Sequence, residues 1–275
     1  MSAAPKGDGR MRTAPRWLRW VPPLVVFALM ITLWYAVTYV LLTPDRRFLL
    51  PPPDAVVRVG LLDPVNRAEL FAGLLLSGQV ALLGLAIAAV FGVGCAIAMA
   101  WASWLERSLH PYLVILQTIP ILALVPLFGF WFGFGFFTRV LVCALIALFP
   151  IVTNTLFGLR SVEETHHDLF TLARAGWAAR LWKLQLPAAL PHILTGLRIS
   201  AGLSVIGAVV GDFFFRQGEP GIGTLIDLYR SRLQSEQLFA AVALASLLGL
   251  AVFLGFGALA RRATSWHTAA RDVAR

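Results

Sequence analysis

Charge is scarce in this sequence. Asp, Glu, Lys and Arg make up 13% of its 275 residues, against about 25% in a soluble globular domain. That is too little to cover a soluble enzyme of this length. The hydrophobic content of 59% likewise excludes a disordered chain. Cysteine is nearly absent. Cys95 and Cys143 stand in apolar stretches without CxxC spacing, which excludes a disulfide scaffold; both read as small buried hydrophobes. HExxH, GxSxG and an aspartate cluster for metal are missing, so no catalytic constellation and no metal site is expected. Gly221-Ile222-Gly223 lacks the strand–turn–helix setting and the GK[ST] ending of a phosphate loop. The net charge of +9 comes with no basic cluster interleaved with aromatics, so nucleic acid is not an expected partner.

What the sequence has is long apolar runs. Residues 21–44, 70–105, 108–138, 140–159 and 237–260 carry no charge, and 184–211 carry only Arg198. A spanning helix needs roughly 20 mostly apolar residues. Six spans fit, at 21–43, 74–100, 110–132, 137–158, 190–212 and 238–260. In lipid every backbone polar group must be paired, so the runs are expected as helices. The alternation of a β-barrel is not present. The fold class is an all-α membrane protein of about six transmembrane helices.

Lys and Arg concentrate in residues 1–20, the 159–189 loop and the last residues. The opposite side carries Arg46, Arg47, Arg58, Arg67, Arg139, Arg216, Arg230 and Arg232. The bias puts both termini in the cytoplasm of a multi-pass cell-membrane protein. Residues 1–20 read as a disordered cytoplasmic tail, 21–262 as the membrane domain with its first span a retained anchor, and 263–275 as a second tail.

Several local features follow. Phe48 to Pro53 is extended, and Asp54 is placed to cap a short helix over 55–62. The 70–105 run exceeds a bilayer, suggesting an interfacial start near Leu70. Trp101 and Trp104 fall at an aromatic belt. Pro120 and Pro126 kink the third span. Gly133-Phe134-Gly135 makes a tight hairpin. Gly129 with Gly133, and Gly207 with Gly211, have small-xxx-small spacing for close helix contact.

The one substantial internal loop is 159–189. Thr165 and Asp168 have capping-box spacing. Leu169, Leu172, Ala173, Gly176 and Leu181 recur at helical spacing, with acids early and bases late. Periodicity alone leaves two readings open: a helix lying on lipid headgroups, or a dock for a protein partner. The segment Asp168 to Pro191, ending Leu184-Gln185-Leu186-Pro187, resembles the EAA motif of permease subunits of ATP-binding-cassette importers. Phe149 to Val162, Leu49 to Pro53 and Pro120 to Leu127 are similar to the same family, and the resemblance covers about 48–260. It is nearest the branch for nitrate, sulfonates, taurine and pyrimidine precursors. Asp168 stands where the motif has Glu, and Leu169 and Phe170 replace its two alanines. Counting back from Pro187, the motif glycine falls on Arg174, two residues before Gly176.

The resemblance implies a type I importer permease paired with a second copy as a homodimer, in membrane lipid. A cytoplasmic ABC ATPase dimer, which holds ATP and Mg, sits beneath it, and an extracytoplasmic substrate-binding protein delivers the solute. This chain would bind no cofactor and catalyse nothing. Residues 165–182 would be the coupling segment. Leu169, Leu172, Ala173 and Leu181 would supply apolar contact. Asp168, Arg174, Arg180 and Lys183 would set polar register around Gly176. Pro187 would end the helix and start the next span. Polar residues within spans are the pathway candidates: Gln117, Asn154, Arg198 and Asp212. Asp212 is near Arg216 in sequence, which suggests a cap or salt bridge, and His192 reads as structural. Residues 213–223, with 224–236, are expected outside, as part of a gate or a landing surface. A secondary transporter or channel is the alternative, but no inverted repeat and no midplane carboxylate supports it.

Overall fold

A computed structural model describes residues 21–264. The charges of residues 1–20, the tail expected there, and most of the 263–275 tail lie outside the described residues. The described part is built of helices joined by short turns and loops: α1 Val21–Leu41, α2 Pro53–Ala55 running on through Val56–Leu62, α3 Pro64–Trp101, α4 Ser103–Thr118, α5 Ile121–Phe132, α6 Phe136–Arg160, α7 Glu164–Leu172, α8 Trp177–Phe214, α9 Ile222–Ser231 and α10 Ser235–Ala263. Among the described residues five helices are long and apolar enough to cross a membrane, or six if α4 and α5 count as one bent span.

The third expected span, 110–132, is present as a bent pair of helices. It breaks at Ile119-Pro120, where α4 and α5 meet at 101°. Pro120 has no N–H to continue the ladder and biases Ile119 toward extended backbone, which it adopts (φ −65°, ψ 128°). Pro126, by contrast, stays inside α5. No separate helix forms near Leu70: α3 is one unbroken helix of 38 residues. Its start is set by Asp63, whose carboxylate accepts from the N–H groups of Val65 and Asn66 at 2.9 and 3.0 Å, with Pro64 at the first helical position. Asp54 does not cap. It lies inside the first turn of α2, where Tyr35 donates to it at 3.0 Å.

The packed centre is α3, α6 and α8, with α10 laid alongside. They come together at small residues. A Cβ on Gly84 would stand 2.4 Å from Cys143 Cβ, and one on Gly207 3.1 Å from Cys143 Cα. Gly211, one turn on from Gly207, faces Arg139 of α6. The Gly207/Gly211 pair thus works as its spacing predicts. Gly129 and Gly133 do not form such a pair: Gly129 makes room for the Phe134 ring, and Gly133 turns the chain at φ +84°. Cys143 is buried and Cys95 half-buried, both as free thiols. Helix α1 is peripheral, with no buried residue over Val21–Ala36. It is tied on toward its C-terminal end, where Trp34 donates to the Pro51 carbonyl at 3.0 Å and its ring lies 5.6 Å from Phe239.

Candidate functional site

Two places carry polar structure that packing alone does not require. The first is the α7 segment. Helix α7 runs over Glu164–Leu172 with Glu163 ahead of it and no side-chain cap, so the Thr165/Asp168 capping box does not form: Thr165 is already inside the helix. The helix stops at a reverse turn. Arg174 N–H donates to Thr171 O and Ala175 N–H to Phe170 O, both at 2.9 Å, while Arg174 adopts φ +50°. This is a Schellman stop, whose left-handed residue is usually glycine. The position counted back from Pro187 therefore is the left-handed one, but an arginine fills it; Gly176 is extended, at φ −67°. Arg180 closes the turn, donating to Thr171 Oγ1 at 2.8 Å and to Ala175 O at 3.4 Å.

Asp168, Leu169, Leu172, Ala173, Arg174 and Gly176 are exposed, Leu172 at 81% and Leu169 at 59%. Lys183 and Pro187 are exposed as well, and Arg180 is half-buried. Leu181 is not available to a partner, contrary to expectation. It is 5% exposed and packs with Leu159, Ala189 and Met99. Nor does Pro187 end a helix. A π turn over Leu181–Gln185 runs directly into the long span, which continues to Phe214. The segment is tied to the bundle at Trp177, whose ring lies 5.8 Å from Trp101. Nearby, Arg160 at the end of α6 forms a two-pronged ion pair with Glu106 of α4.

The second place is at the opposite end. Arg139, counted among the charges of the opposite side, is 1% exposed inside α6. Its Nη1 lies 3.2 Å from Asp212 and also donates to Glu219 O at 3.2 Å; its Nη2 donates to Gln217 O at 3.1 Å. Asp212 is fully buried. It accepts from Ser77 and, at 3.2 Å, from the Gly223 N–H, while Ile222 N–H donates to Ser77 Oγ at 2.8 Å. The start of α9 is thus filled by a carboxylate of the chain's own. A Cβ on Gly221 would fall 2.1 Å from that carboxylate, so only glycine fits there. Arg216, expected to pair with Asp212, instead pairs with Asp227, as does Arg230 at 2.7 Å. The hydrogen bond from Arg230, with both positive charges, holds the Asp227 carboxyl below the usual carboxylate range. Burial and its hydrogen bond to Glu69 push the Tyr229 hydroxyl upward. Residues 222–231 are accordingly a packed helix, not a loop.

The remaining pathway candidates do not converge. Gln117 borders a cavity of about 240 Å³ at the α4/α5 break, with Pro150 and Leu203 across it. Asn154 donates to Pro150 O of its own helix at 2.8 Å. Arg198 lies between α8 and α10 over the Phe253 ring. His192 packs edge-on against Phe157 at 5.1 Å, a structural place. Ser77 and Arg139 were not singled out in the sequence. Arg139 did leave one signal: it alone interrupts 108–159, as a charge inside a helix would.

Long apolar helices around a glycine-packed centre, broken once at a proline, define a polytopic helical membrane protein with one exposed helical hairpin at one end. Residues 88–265 match the family described as "Binding-protein-dependent transport system inner membrane component", and the chain belongs to it: it is an ABC importer permease of the binding-protein-dependent type. It is 33% identical over 237 residues to the formylaminopyrimidine transport permease protein ThiX of Halalkalibacterium halodurans, covering 86% of this chain and 91% of that one. It is 31% identical to the putative aliphatic sulfonates transport permease protein SsuC of Bacillus subtilis (96% and 92% covered). It is 30% identical to the taurine transport system permease protein TauC of Escherichia coli (87% of each).

Proposed function

We propose that this chain is the membrane subunit of an ATP-driven importer. It passes a small solute, of the sulfonate, taurine, nitrate or pyrimidine-precursor kind, from an extracytoplasmic binding protein into the cytoplasm. Two copies form the pore as a homodimer in the cell membrane, with both termini cytoplasmic. ATP and Mg belong to a separate ABC ATPase dimer. The relatives' names support the solute class, since formylaminopyrimidine, aliphatic sulfonates, taurine and nitrate are small polar molecules.

One observation carries the reading: a nine-residue helix presents Leu169 and Leu172 to solvent while the Arg174 stop and the Arg180 clasp hold it off the bundle. Exposed large apolar side chains on an ordered helix fit a partner groove. Asp168, Ala173, Arg174, Gly176 and Lys183 flank that face, and Arg180 orders it. Closure of the ATPase pair would push α7, and the push reaches the spans through Trp177 on Trp101 and through Leu181 in the core. The transition is a hinge-type two-state change that ATP biases by binding one state better. The solute path runs past the α4/α5 break, where Gln117 borders a cavity. The packed 213–231 segment, pinned by Arg139 and Asp212, is the external gate or landing surface.

The test is co-purification with a co-expressed ABC ATPase of the same importer family, reading ATP turnover with and without the binding protein. The wild type should associate and be stimulated; Leu172→Asp should lose the complex with an unchanged melting temperature. A wild type that purifies alone, with no ATPase bound, overturns the reading.

A further inference from the structure

Arg198 is a cation within a spanning helix that lacks a counter-charge. It forms no ion pair among the described residues, and its Nε is buried without a hydrogen-bond partner. Its guanidinium lies 4.2 Å from the centre of the Phe253 ring, a contact that orients the group without neutralising it. A Cβ on Gly257 would come within 3.0 Å of its Nε, so the group lies against α10 where that helix has no side chain. An unneutralised cation at this depth is costly unless something negative reaches it.

A groove leads away from it. Between α8 and α10 an open cleft of about 820 Å³ is walled by Leu203, Ile206 and Val209 on one side and Ala245, Gly249 and Phe253 on the other. Its walls are apolar almost throughout, with Ser246 the polar exception. Along α8 the cleft runs from Ile199 to Val210, about 16 Å at 1.5 Å per residue. That is close to the depth of one leaflet, half of a hydrocarbon core of about 30 Å. Arg198 stands at the end nearer α7, and the last turn of α10 adds Arg261 and Arg262 at that same end.

We propose that this cleft binds an anionic phospholipid of the leaflet on the α7 side, with the headgroup on Arg198 and one acyl chain along the groove. Charge complementarity and length both favour it. A second copy related by a two-fold axis would bring its own Arg198 to the same patch at the same depth, adding charge of the same sign. The lipid supplies the missing anion and fills the cleft with hydrocarbon.

The experiment is native mass spectrometry of the full chain in detergent with equimolar phosphatidylglycerol and phosphatidylcholine of identical chains. No ATPase is present, so the outcome is independent of the importer reading. The wild type should retain phosphatidylglycerol over phosphatidylcholine by roughly tenfold, the scale of one charge-assisted hydrogen bond. Arg198→Gln should abolish the preference and Arg198→Lys should keep part of it. Gly202→Leu, at a position whose Cβ would meet nothing within 4 Å, should fill the cleft and lower retention of both lipids. Equal retention of the two lipids by the wild type overturns the proposal with no variant needed. So does an unchanged preference in a folded Arg198→Gln. Displacement of the lipid by millimolar sulfate or taurine would make Arg198 a solute-pathway cation instead. Disulfide-linked dimers of Gly202→Cys would make the cleft an interface between copies.

Discussion

Arg139 and Asp212 are 73 residues apart in sequence and 3.2 Å apart in the fold, and both are shielded from solvent. Each also holds something else. Arg139 gathers the Gln217 and Glu219 carbonyls, and Asp212 receives Ser77 and the start of α9. Four elements are thereby fastened at one point: α3, α6, α8 and α9. Removing one partner leaves the other as an uncompensated buried charge, which costs about 3–5 kcal/mol. Asp212→Asn and Arg139→Met should each lower the melting temperature in detergent sharply. The double variant should lose much less than the sum, because it leaves no orphaned charge. Additive losses would show that the two residues act separately.

Arg174 occupies a left-handed position that disfavours a side chain. The penalty for a non-glycine residue in this region is about 1–2 kcal/mol, partly offset by the greater freedom of glycine in the unfolded chain. Arg174→Gly should therefore stabilise the α7 turn, by up to about 1 kcal/mol. Slower proteolysis of the 164–176 segment would register it. Gly176→Ala should be neutral there, since Gly176 is extended and its Cβ would meet nothing within 4 Å.

The contrast between those two residues also shows what a sequence can reveal. Counting back from Pro187 finds the turn at Arg174, because spacing is a local property and survives a change of residue. The six apolar runs are legible for a related reason: lipid demands a continuous stretch whatever packs against it. The 101° break at Pro120 is legible only as a kink, since proline marks where a helix can part but its neighbours decide the direction. Arg139 escapes notice because a charge count by side treats an arginine at a span's edge as solvent-facing. Asp212 points to Arg216, the near neighbour in sequence, whereas folding brings it Arg139 and gives Arg216 to Asp227. Leu181 fits the apolar rhythm of the dock, yet the π turn swings it into the core.

The Asp227 cluster predicts a pH dependence. Its carboxyl titrates below the usual range in the folded chain because Arg230 and Arg216 favour the charged form. A group depressed on folding contributes stability above its unfolded pKa, about 3.9 for aspartate, and loses it as pH falls through the lower folded value. The melting-temperature gap between wild type and Asp227→Asn should be constant above about pH 5 and should close as the pH falls below about 4. Both arginines are mostly exposed, so added salt should narrow the gap at neutral pH. A gap that widens on acidification would contradict this assignment.

The glycine contacts make the last prediction, and they separate close approach from mere flexibility. Gly84 and Gly202 are both in spanning helices, but a Cβ on Gly84 would collide with Cys143 Cβ at 2.4 Å while one on Gly202 would meet open space. Overpacking a tight contact costs roughly 1–3 kcal/mol, or more where backbone must move. Gly84→Ala should therefore lower the melting temperature and the yield of folded protein, because α3 and α6 cannot approach. Gly202→Ala should leave both unchanged or raise them slightly, since helix propensity favours alanine by about 1 kcal/mol. The pair is a fair comparison because both residues carry the same intrinsic helix penalty, so any difference belongs to the neighbours. Equal losses at the two positions would mean that α3 and α6 do not meet at Gly84, and that the glycine-packed centre is wrong.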